Sequence, residues 1–202
     1  MVSREAKRER LATVVGKLVH ERGTKATTAG RIAARAGIAR SSFYELFENR
    51  EDALRYAIHV GEQRLLKAIE GVLDREDGWE ERVGAIFSAF LAAAQADPFL
   101  AELALISRGA EGAPGLGPCN PKLVDALASA LRPGWRGVDE AGGPRAEELL
   151  VLGVLGLVAG RLRRGEADGL LALTPELTRL ATSAFAGPGR GRRNSSPATE
   201  LG

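Results

Sequence analysis

Cysteine is almost missing from this chain. A single thiol, Cys119, among 202 residues leaves no internal disulfide to form, so the fold must stand on a buried core, as suits a reducing compartment. Histidine is nearly as scarce. His20 and His59 lie far apart in sequence, no paired Cys/His spacing for zinc exists, and neither a metal nor a cofactor is expected. No G-x-S-x-G elbow, P-loop or acid/base pair is present, and Gly115-Leu116-Gly117 follows no strand pattern, so the chain is not expected to be an enzyme. Long hydrophobic runs are missing too. The longest, residues 149–160, has 12 residues, against about 20 needed to span a bilayer. Residues 3–10 are charged where a signal peptide would be apolar. These absences point to a soluble cytoplasmic protein with no membrane partner.

What the chain has is apolar mass and an uneven charge. Hydrophobic residues make up 45% of it, enough to bury a core. Net charge is only +2, yet residues 1–55 hold 12 Lys and Arg against 7 Asp and Glu, while residues 56–202 hold 16 against 19. The basic part is the one suited to meeting phosphates. Arg outnumbers Lys 23 to 5, a preference that a coding bias would explain; the split between the two parts it would not.

Helix starts and stops punctuate the whole length, and no convincing strand appears. The periodicity predicts an all-α chain, with helices at about 4–22, a short pair within 28–47, then 50–73, 79–96, 98–108, 121–131, 145–164 and 174–186. Ser3, Thr28, Asn49 and Thr174-Pro175-Glu176 mark starts, and Gly23 and Gly37 mark stops. Three regions follow. Residues 1–49 would form a small three-helix domain. Residues 50–187 would form a helical bundle, and 188–202 a disordered tail.

Residues 27–51, TTAGRIAARAGIARSSFYELFENRE, carry the densest signal. Thr28 caps a helix whose Ile32, Ala33 and Ala36 face inward, and Gly37 turns the chain. A second short helix then opens with Arg40, Ser41, Ser42 and Tyr44, anchored on its other face by Phe43 and Phe47. Asn49, with Asp52 three residues on, caps the next helix. This is the layout of a helix-turn-helix, whose second helix enters the DNA major groove. An ordinary helical hairpin would show a similar spacing.

The order T-T, I-A-A-R-A-G-I, S-S-F-Y, L-F, N-R-E resembles the DNA-binding domain of TetR-type (TetR/AcrR) transcriptional regulators, over roughly the first 60 residues. Ala39 stands where the family commonly has Ser, which removes a cap of about 1 kcal/mol, and Leu46 stands where His is frequent. The resemblance implies double-stranded, palindromic DNA as partner. It places Arg40 and Ser41 at base edges or nearby phosphates. Ser42, Tyr44, Thr28 and Arg50 fall on phosphates, with added backbone contacts from Lys7 and Arg8. Glu45 could accept from a cytosine amino group or pair with a neighbouring Arg.

The helix at 145–164 is apolar all round between residues 149 and 159. Such a helix needs cover on several sides: either it is internal to a monomer, or a second subunit covers it. The resemblance implies the second, a homodimer built from the last two helices. Leu149, Leu152, Gly153, Gly156, Leu157 and Gly160 would meet Leu177, Leu180, Ala181 and Phe185. It also implies a ligand-responsive repressor, released by an unknown small apolar or amphipathic effector bound among His59, Phe87, Phe90, Leu91 and Leu103. A solid core with no ligand, and hence a DNA-binding activator or architectural factor, stays open. So does a small-molecule enzyme or carrier with a merely structural hairpin. His59 fits either that cavity or a buried, satisfied position, and Cys119 fits either a sensor or an incidental loop thiol.

Overall fold

A computed structural model describes residues 3–73, 78–106, 120–132 and 146–183, with side chains from Glu147 onward in the last segment. Among these the chain is all-helical, as its periodicity predicts. The helices are α1 (Arg4–Arg22), α2 (Ala29–Ala36), α3 (Arg40–Leu46), α4 (Arg50–Leu73), α5 (Trp79–Ala96), α6 (Pro98–Ile106), α7 (Pro121–Leu131), α8 (Ala146–Arg163) and α9 (Thr174–Ser183). Short 3-10 turns occupy Thr24–Ala26, Ala167–Gly169 and Leu171–Leu173. The loop around Cys119, Trp135, Phe185 and the tail lie outside the described residues.

The boundaries follow from local chemistry. Ser3 Oγ accepts from the Ala6 amide at 3.1 Å and opens α1. Thr28 Oγ1 accepts from the Arg31 amide at 3.3 Å and opens α2. Gly37, at φ 68° and ψ 31°, closes α2 in the left-handed region that glycine adopts without strain, and the Ile38 amide returns to the Ala33 carbonyl. Asn49 Oδ1 accepts from the Asp52 amide at 2.8 Å, and Asp52 reaches back to the Glu48 amide. Asp97-Pro98 ends α5, and α6 leaves at 112°. No single helix among the described residues is long and apolar enough to cross a membrane.

Two apolar cores result. The first gathers Leu11, Val15 and Leu18 of α1, Ile32 of α2, Phe43 of α3, Phe47, and Ala53, Leu54 and Ala57 of α4. The second joins Leu65 and Ile69 of α4, Phe87, Phe90 and Leu91 of α5, Leu123 and Leu127 of α7, Val151, Leu155 and Val158 of α8, and Leu177 and Ala181 of α9. α6 belongs to both. Its Leu100 and Leu103 complete the first core, while Ala101, Ala104 and Leu105 complete the second.

Three sequence expectations are corrected here. Leu103 packs with α1 and α4 rather than beside Phe87, Phe90 and Leu91. His59 is exposed on α4 rather than buried. Leu177 and Ala181 are buried inside the subunit with α5, so they leave the outer face. Periodicity identifies an apolar face but not the partner it meets.

Candidate nucleic-acid interface

The turn between α2 and α3 holds α3 against its own small core. Phe43 is fully buried and packs beside the Phe47 ring at 5.7 Å and the Tyr44 ring at 5.3 Å. With that face fixed, Arg40, Ser41, Tyr44 and Glu45 point to solvent, and Ser42 is half-buried. Tyr44 is 47% exposed, a large ring left in water. The Arg40 guanidinium lies 5.8 Å from that ring, with Nη2 donating to the Tyr44 hydroxyl at 3.4 Å. Arg40 and Tyr44 thus stand together on the outer face. Thr28 is exposed at the start of α2, although its hydroxyl already serves the cap.

The flanking arginines have internal tasks. Arg4 Nη2 donates to the Glu45 carbonyl at 3.0 Å, tying α1 to the last turn of α3. The Glu45 carboxylate stays exposed, and the expected pairing with an Arg neighbour gives way to this backbone contact. Arg8 does not extend outward. Its guanidinium sits 4.2 Å from the Tyr56 ring and 4.9 Å from the Phe47 ring, a stacked position inside the domain rather than a free contact for a phosphate. Arg50 pairs with Glu51 at 2.6 Å and donates to the Thr24 carbonyl at 3.3 Å. Lys7 is exposed. Arg31 and Arg35 serve the Ala26 carbonyl and the Glu21 carboxylate. Tyr56 donates to Glu5 Oε1 at 2.5 Å, and burial together with this bond pushes its phenol up to about 12.

Of the residues proposed from sequence for a ligand, three come together and two stand apart from them. Phe87, Phe90 and Leu91 are wholly buried in the second core, Leu103 is in the first, and His59 is outside. A hollow of about 310 Å³ lies elsewhere, between Arg4 and Arg8 of α1 and Tyr44, Glu45 and Glu48 at the far end of α3. A second, between α4 and α6 at Gly61 and Leu100, holds about 10 Å³, room for a single water at most.

Sequence reasoning missed three buried carboxylates among the described residues: Glu62, Glu102 and Glu147, the last with Oε1 3.6 Å from Arg132 Nε. Glu62 of α4 is 7% exposed; it accepts from Asn120 Nδ2 at 2.7 Å and from Lys122 Nζ at 2.8 Å at the start of α7. Glu102 is 7% exposed within the otherwise apolar α6. It lies 2.6 Å from His20 Nδ1 and 3.7 Å from Arg163 Nε. A lone Glu in the run PFLAELALI was a visible signal, because a buried carboxylate demands partners.

Residues 17–57 match the model of bacterial regulatory proteins of the tetR family. The N-terminal domain is of the TetR type. The match runs from within α1, across the turn and α3, into α4, so it covers the geometry just described. The fold as a whole is similar to a TetR-like transcriptional regulator from Rhodococcus sp. RHA1, at 18% identity over 93% of this chain and 100% of that one, with a TM-score of 0.68. It is similar to the regulator FadR of Bacillus subtilis in complex with stearoyl-CoA, at 20% identity, 86% of this chain, 97% of that one and a TM-score of 0.64. It is also similar to the TetR family regulator PfmR of Thermus thermophilus, at 19% identity, 86% and 97% coverage and a TM-score of 0.64. At these identities the likeness is one of fold. No curated protein sequence matches the chain. The TetR-type domain therefore sits on a bundle with the helical layout of TetR-family transcriptional regulators.

Proposed function

We propose that this chain is a homodimeric transcriptional repressor that binds a palindromic operator and is released by a small apolar or amphipathic effector. The observation that supports it most is the outer face of α3, where Arg40, Ser41 and Tyr44 stand exposed at the end that would enter the groove. Arg40 reads base edges, Ser41 and Ser42 serve bases and nearby phosphates, and Tyr44, Thr28 and Lys7 hold the backbone. Arg50 would meet a phosphate only by leaving Glu51.

The dimer rests on α8. Its inner face is buried through Val151, Val154, Leu155 and Val158, while Leu149 and Leu157 are 50% and 42% exposed. Gly153 and Gly156 are exposed, and Leu152 and Gly160 half-exposed, along the same stripe. Leu180, 50% exposed, is the outward leucine of α9. A second copy covers this stripe and pairs the two reading helices.

The effector part draws on the likeness to FadR, solved with stearoyl-CoA, and on the apolar interior between α5 and α8. The close packing of Phe87, Phe90 and Leu91 favours the second reading, a DNA-binding protein without effector. Selection from a random duplex library, followed by titration of the winner at several salt concentrations, tests the first claim. A palindrome is expected, with log affinity falling by about 0.9 per phosphate contact for each unit of log salt. Failure to enrich any sequence would end the operator reading. Acyl-CoAs of graded chain length then test release. If none of these or other apolar ligands lowers affinity, the effector-free reading stands.

A further inference from the structure

The junction between the two cores holds one carboxylate that contacts both sides. α6 is apolar over its buried length except at Glu102. One carboxylate oxygen, Oε2, lies 2.6 Å from His20 Nδ1 in the last turn of α1, which belongs to the reading domain. The other, Oε1, lies 3.7 Å from Nε of Arg163, the last residue of α8. We propose that Glu102 is a positioning residue that fixes the angle between each reading domain and the dimerisation helix, and thereby the operator half-site spacing the dimer accepts. The proposal rests on the operator-spanning reading above.

The surroundings leave α1 little other freedom. The His20 ring meets Phe99 edge-on at 5.1 Å, and Lys17 Nζ lies 5.8 Å from the same ring. Gly16 sits so close to α6 that an added β-carbon would be 3.2 Å from the Phe99 carbonyl carbon and Cβ and 3.3 Å from Leu100 Cδ2. α1 is thus seated on the first turn of α6, and the remaining motion is a rocking of that contact. Rocking pulls His20 and Arg163 away from one shared carboxylate. The His20 contact is the stronger arm, short and largely out of water. The Arg163 arm is longer, and its side chain is 62% exposed, so solvent weakens it. A buried pair of this kind adds little to stability compared with an apolar replacement and is better suited to holding one arrangement among several. Each added base pair moves a half-site by about 3.4 Å along the helix axis, so a small rocking of the head changes which spacing fits.

The test uses the full chain and the palindrome it selects, with variants carrying one or two base pairs inserted or removed at the centre. Affinity is measured at every spacing for the wild type and for Glu102→Gln, which keeps the shape and removes the charge. The wild type should prefer one spacing by about tenfold or more, the cost of a single poor contact. Glu102→Gln should flatten that preference severalfold while binding an isolated half-site as the wild type does. Arg163→Ala, at an exposed side chain, should flatten it in the same direction and to a smaller degree without disturbing folding. An unchanged spacing profile in both variants, with the wild-type preference intact, would overturn the role of Glu102. Equal losses at every spacing, with lower thermal stability, would overturn it too, since they mark a merely structural pair. A wild-type profile with no preferred spacing would instead overturn the operator-spanning dimer and the proposal with it.

Discussion

Gly61 of α4 lies against the Leu100 carbonyl of α6 with no room for a β-carbon between them. The backbones of α4 and α6 face each other directly at this point. Gly61→Ala should push them apart and cost about 1–3 kcal/mol, the usual range for overpacking a core. Gly71, near the end of the same helix, has open space around it, so Gly71→Ala should stabilise by about 0.5–1 kcal/mol through backbone entropy. Urea unfolding of the two variants checks both signs within one helix.

The same helix carries an acid-sensitive contact. Burial raises the Glu62 carboxyl, but bonds from Lys122 and Asn120 outweigh it and hold the group below its ordinary 4.5. A carboxyl lowered on folding adds stability above its unfolded value, and that stability is lost as pH falls through the folded value. Thermal stability should therefore drop as pH falls below about 4.5. Glu62→Gln should cost about 1–3 kcal/mol at neutral pH and show a shallower acid decline. An identical decline in the variant would remove Glu62 from the cause.

Arg8 separates packing from phosphate contact. Arg8→Ala should lose about 1–2 kcal/mol of stability through its stacking on Tyr56 and Phe47. The slope of log affinity against log salt should stay as in the wild type. Arg40→Ala should behave in the opposite way, narrowing the gap between selected and random DNA by about 1–3 kcal/mol with no loss of stability.

Neighbouring leucines of α8 test the dimer. Leu157 is 42% exposed and Leu155 fully buried. Leu157→Glu should yield a helical monomer that no longer binds the palindrome, because one head cannot span two half-sites. Leu155→Glu should unfold the second core, since it buries an unpaired charge. Sedimentation with circular dichroism distinguishes the two. A Leu157→Glu protein that remains dimeric would move the interface off this stripe.

The helices were legible because their ends are written in side chains. Ser3, Thr28 and Asn49 cap as read, and Gly23 and Gly37 stop as read. Which face meets which neighbour was less legible. Leu177 and Leu180 look alike in sequence, yet one packs inward and the other is half in water. His59 offered two interior readings and took neither, because the inward face of α4 is set by Val60, Gly61 and Glu62. Arg8 read as a charge and acts as a flat surface between two aromatic rings. In the reading face the sequence named the exposed residues of α3. It did not show that Arg50 reaches the Thr24 carbonyl, nor that Glu102 gathers His20 and Arg163, since such partners lie many residues away.

The division of α6 between two cores limits how this protein can be recombined. A chimera that takes residues 1–49 onto another regulator's body would leave the seats of Leu100 and Leu103 unfilled and His20 without its carboxylate. The interchangeable unit is discontinuous: the first helices together with one face of α6. A graft that carries those α6 positions should read its own operator from a foreign body, and one that omits them should be insoluble.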